Sequence, residues 1–65
     1  MVNTNKIIGL IAEHGYTRED VAKNLGISMQ TLRRKLRDGK FDSDEMGKLI
    51  DLLEIENPIE IFFAK

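Results

Sequence analysis

A chain of 65 residues without cysteine has room for one small domain, and neither disulfides nor a cysteine-based metal site can staple it, so packing must hold it together. Ten Lys and Arg against eleven Asp and Glu leave a formal net charge of −1, which would argue against a nucleic-acid partner if the charge were spread evenly. It is segregated instead: residues 28–40 carry Arg33, Arg34, Lys35, Arg37 and Lys40 against Asp38 alone, a net +4, whereas residues 41–65 carry a net −5, an asymmetry that orients the molecule in the field of a charged partner.

The polar lead Asn3-Thr4-Asn5 offers caps for a first helix from about Asn5 to His14. Ile7, Leu10 and Ile11 share its core face at i, i+3 and i+4, and Ile8 widens the stripe. Gly9 inside this helix costs about 1 kcal/mol relative to alanine, which points either to close contact with another helix or to a frayed first turn. Gly15 is the expected stop, and His14 in the last turn is placed to interact with the C-terminal helix dipole.

Two further helix starts follow in quick succession. Thr17 is a good N-cap with Asp20 three residues on, and Tyr16 and Val21 form a staple across the start; Ser28 repeats the pattern with Ile27 and Leu32. Between them, Gly26 can take the positive φ that ends one helix and re-aims the chain. Helices this short do not persist alone in water. Ala22 is small enough for close approach of the two axes, and Val21, Leu25, Ile27 and Leu32 remain to lock the angle.

At about 100° per residue, Leu32 and Leu36 fix the buried side of the second of these helices. Gln30, Arg34 and Arg37 then point furthest from it, with Met29 and Arg33 on one flank and Thr31 and Lys35 on the other. Such a stripe suits the major groove, where Arg pairs with guanine O6 and N7, Gln with adenine N6 and N7, and Met touches a thymine methyl. Thr17, Arg18 and Ser28 sit at helix N-termini, where amides and dipole favour phosphate.

Past Gly39-Lys40, Asp42 as cap, Glu45 at the third position and the Phe41/Met46 staple mark a fourth helix, whose Met46, Leu49, Ile50 and Leu53 would close the core against the first helix and Leu32. Asn57-Pro58-Ile59-Glu60 begins a short final helix with Asn as cap. Some of its Ile59, Phe62 and Phe63 are expected to pack under the domain, and the remainder to form a two-fold dimer patch.

The run Ala22, Gly26, Ile27, Ser28, Leu32, Arg34-Lys35-Leu36 and Gly39 resembles the lambda-repressor-like, Cro/repressor type of helix-turn-helix regulator, and the likeness extends to the flanking helices and so over nearly all of the chain. It implies an all-α fold, a compact bundle of about five short helices forming one domain over residues 1–65 with the motif at about 17–38. The resemblance implies base contacts from Met29, Gln30 and Arg34, with Arg33 close by. Lys35 stands where many relatives carry an apolar residue and the second buried position falls at Leu36, which leaves Arg33 and Arg34 as alternatives. Backbone contacts are expected from Thr17, Arg18, Ser28, Thr31, Lys35, Arg37 and Lys40.

Function follows as an expectation: a small phage or prophage Cro-like repressor that reads a palindromic operator in double-stranded DNA as a homodimer, assembled either in solution or on the DNA. A domain that fills the chain leaves no room for a separate ligand or oligomerisation domain, so neither a small-molecule ligand nor a cofactor is expected. The competing reading is a protein-interaction module on the same scaffold, of antirepressor or antidote type, using its acidic half or Phe62 and Phe63. Catalysis finds no support, since there is no glycine-rich phosphate loop, no cysteine nucleophile and no metal-ligand spacing. The absence of a long apolar run, signal peptide or lipidation motif points to the cytoplasm and against a membrane partner.

Overall fold

Local capping decides where each helix begins. In the computed structural model, which describes residues 2–63, five helices follow one another: α1 (Thr4–Glu13), α2 (Arg18–Leu25), α3 (Met29–Asp38), α4 (Ser43–Leu52) and α5 (Pro58–Phe62). The Thr17 hydroxyl accepts from the Asp20 amide while the Asp20 carboxylate accepts from the Thr17 amide at 2.8 Å, and Asp42 and Glu45 close the same reciprocal box at the start of α4. Ser28 caps α3 through the Thr31 amide. These hydrogen bonds from Thr17 hold the Asp20 carboxyl below its usual range, which keeps it charged beside the positive end of α2.

Two boundaries differ from expectation, both for local reasons. α1 starts at Thr4 rather than about Asn5, because it is Asn3 of the polar lead whose side chain accepts from the Lys6 amide, and it ends at Glu13 with His14 as the C-cap. Asn57 precedes α5 without any side-chain cap bond, so Pro58, pre-set for the first turn, starts that helix.

The helices enclose a core in which Ile7, Val21, Leu32, Leu49 and Leu53 are fully buried. α2 packs against both α3 and α4, and α5 packs on α1. Val2, Phe41, Ile55 and Ile61 complete the core from the connections and α5, and the Asn3 amide donates to the Ile61 carbonyl at 2.6 Å to pin the two ends together. Phe62, expected at a dimer patch, belongs to this core with only 3% exposure, because α5 turns its Ile61 and Phe62 side inward. The opposite side leaves Ile59 and Phe63 in solvent at 74% and 66%.

Of the two readings of Gly9, close contact with another helix does not hold: a Cβ built there meets nothing within 4 Å. Its lack of a side chain therefore serves no packing purpose, and Gly9→Ala is expected to stabilise the domain by about 0.5–1 kcal/mol through helix propensity. A raised thermal midpoint checks this; a lowered one would reveal a contact that the open space does not suggest. No helix among the described residues is long and apolar enough to cross a membrane.

Candidate nucleic-acid interface

The turn between α2 and α3 sets the site. Gly26 at φ 71° closes α2, its amide bonding to the Lys23 carbonyl, while the Ile27 amide bonds back to Ala22. With Ala22 and Leu25 buried on one side and Leu32 and Leu36 on the other, α3 is seated by its apolar edge, and none of the described residues covers its opposite edge. The C-terminal end is fixed from outside the motif: the Thr4 hydroxyl donates to the Leu36 carbonyl at 2.9 Å, and Gly39 closes the helix at φ 65° with the Val2 carbonyl nearby.

On the uncovered edge, Gln30, Thr31, Arg33, Arg34 and Arg37 line one open concavity. Gln30, Arg33, Arg34 and Arg37 are exposed, while Met29 and Thr31 are half-buried at the margins. From Gln30 to Arg37 the stripe runs roughly 10 Å along the helix axis, the rise of about three base pairs at 3.4 Å each. The helix is narrow enough for a major groove and presents donors of the kind that base edges accept.

Charge on this edge is lightly encumbered. Arg37 Nε donates to the Asp38 carboxylate at 3.0 Å, which holds Asp38 below its usual range and raises Arg37 further. Both side chains stand in water, where such a pair is readily exchanged for another anion. Arg18 and Lys40 are exposed at the two ends of the motif. The hydroxyls of Thr17 and Ser28 are engaged in capping, Ser28 also donating to Thr31 Oγ1 at 3.0 Å. What those two positions offer an anion is the first-turn amides that no intrahelical carbonyl can satisfy.

Lys35 departs from expectation. Instead of lying free for a phosphate, its Nζ is 2.9 Å from Glu45 Oε1 on α4, and the pair is largely shielded from solvent. Glu45 itself was expected only to cap α4. Its second partner lies ten positions away in the chain, beyond the reach of any local pattern, although a lysine on the flank of one helix and an acid in the first turn of the next is the signal that could have suggested it.

A short helix, a glycine turn and a second helix with its polar edge uncovered define a helix-turn-helix DNA-binding domain. The chain belongs to the Fis family of bacterial regulatory proteins: the model of that family matches residues 3–39, which span α1, α2 and α3. Comparison with curated proteins and with solved structures gives no match.

Proposed function

We propose that the domain is a sequence-specific, double-stranded DNA-binding transcriptional regulator of Cro/repressor type, with α3 as its recognition helix and no catalytic step. The observation that carries this reading is the concavity of Gln30, Thr31, Arg33, Arg34 and Arg37 on a helix whose other edge is buried. Met29, Gln30, Arg33 and Arg34 face base edges, and Thr17, Arg18, Ser28, Thr31, Arg37 and Lys40 hold the phosphates. The Cro/repressor assignment is supported by α4 and α5, which follow the motif and close the same core, making one domain of the chain.

A palindromic operator requires two copies. The molecule extends 27 × 22 × 19 Å, less than the roughly 34 Å that separates half-sites one helical turn apart. Ile59 on α5 and Phe63 at its C-cap, both exposed, are the apolar contact we assign to the second copy. Phe63→Lys is expected to weaken self-association while leaving helicity and thermal midpoint within about 0.5 kcal/mol of the parent, as surface substitutions do. Sedimentation on the operator and in its absence reads the first effect. A collapse of helicity would place Phe63 in the core instead.

Selection from random duplex DNA, followed by titration of the enriched site at several salt concentrations, tests the reading as a whole. A palindrome with half-sites about one turn apart is expected. Recovery of no site, with binding that ignores salt, would overturn it in favour of a protein partner. Within the same titrations, Arg18→Ala and Lys40→Ala are expected to weaken binding to all sequences alike, each flattening the salt slope by about 0.9. An effect confined to the selected site would move that residue from phosphate to base.

A further inference from the structure

Glu45 is the buried charged residue of the described core, with 6% exposure. Its Oε1 accepts two hydrogen bonds, from the Asp42 backbone amide at 2.9 Å and from Lys35 Nζ at 2.9 Å. A carboxylate removed from water needs such compensation, because stripping its cation would leave an unpaired buried charge. The geometry also constrains Lys35. Its side chain keeps 21% of its exposure, whereas Arg33, Arg34, Arg37 and Lys40 on the same segment stand exposed. A charge-assisted bond in a shielded position is stronger than the screened attraction of a phosphate across solvent.

We infer that Glu45 withholds the Lys35 ammonium from DNA and uses it to fix the roll of α3 against α4, and that this fixed roll, rather than the lost charge, serves specificity. This rests on the reading of α3 as the recognition helix. Every cation placed on a phosphate strengthens binding to all sequences equally, with a slope of about −0.9 in log K against log salt. Subtracting one cation from that count lowers binding to all sequences by the same factor and leaves their ratio unchanged, so the bearing on specificity lies in what the cation does instead. Spending it on the α3–α4 contact keeps Gln30, Arg33 and Arg34 aimed as a unit. Lys35 is thus a positioning residue, and Glu45 acts through it.

Two variants separate the roles. Lys35→Gln keeps a donor for Glu45 but removes the charge; Glu45→Gln keeps an acceptor for the Asp42 amide but releases Lys35. Parent and variants are titrated on the selected site and on random duplex over a range of salt, with helicity followed by circular dichroism. Lys35→Gln is expected to leave the random-duplex salt slope at the parent value. Glu45→Gln is expected to steepen it by about 0.9 and to lower the ratio of selected-site to random affinity. Flattening by about 0.9 in Lys35→Gln would show a phosphate contact in the parent and overturn the inference. So would a Glu45→Gln variant with parental slope and ratio. Should Glu45→Gln lose helicity, Lys35→Gln decides alone. A parent that binds without salt dependence overturns the reading of α3 itself, whereas a parent with a normal slope and an unchanged Glu45→Gln overturns only the withholding role.

Discussion

Leu49→Ala is expected to remove about 2–5 kcal/mol of folding stability, the largest loss of any single substitution considered. Leu49 is fully buried on α4, and α4 packs against α2, the helix on which α3 is seated. Removing a buried leucine side chain typically costs about 2–5 kcal/mol, the larger values where the surroundings cannot collapse into the void. At about 0.05–0.15 kcal/mol per residue, a domain of this size holds only roughly 3–10 kcal/mol in total. One substitution therefore removes from about a fifth of it to all of it. Chemical denaturation of parent and variant gives the difference directly. Operator DNA in excess is expected to restore part of the helicity, because a ligand that binds only the folded state pulls the equilibrium toward it. A variant whose midpoint moves by less than about 1 kcal/mol would mean that the core repacks around position 49.

Much of this architecture was legible in the residues themselves. The caps at Thr17, Ser28 and Asp42 involve partners three positions on, so short sequence windows contain all the physics that forms them. The same holds for Gly26 and Gly39, whose positive φ is the property only glycine supplies without strain. Periodicity on α3 correctly separated Leu32 and Leu36 from Gln30, Arg34 and Arg37, since burial of one stripe dictates exposure of the opposite one.

What escaped the sequence depends on distant partners. Thr4 bonds to Leu36 across 32 positions. His14 donates from Nδ1 to the Leu10 carbonyl, as a residue at a helix C-terminus should, but its Nε2 also lies 3.2 Å from the Glu54 carboxylate, 40 positions away. Glu54 holds a left-handed φ of 50° there, a conformation that nothing in its side chain favours. Val2, Ile55 and Ile61 enter the core from segments too short to display a period. The exposure of the apolar Ile59 and Phe63 was similarly beyond periodic reasoning. Five helical residues make little more than one turn, so whether Phe62 or Phe63 faces inward follows from how α5 meets α1, a tertiary fact.

For the candidate interface the decisive residue is Arg34. It lies exposed near the centre of the uncovered edge, one turn beyond Gln30 and on the side opposite Leu32 and Leu36. If its guanidinium pairs with a guanine, Arg34→Ala is expected to cost about 1–3 kcal/mol on the selected site, a loss of roughly 5- to 150-fold in affinity. Loss on random duplex is expected to be much smaller, because only the general attraction to phosphate is given up there. Specificity at a single base pair should relax, which repeating the selection with the variant reads out. Arg33 is the internal control. It lines the same edge but stands one position before Arg34 and therefore about 100° around the helix, so the two cannot aim at the same base edge from one docked orientation. If Arg33→Ala instead gives the larger selected-site loss and Arg34→Ala weakens all sequences alike, α3 enters the groove rolled toward Met29, and Arg34 belongs with the phosphate contacts.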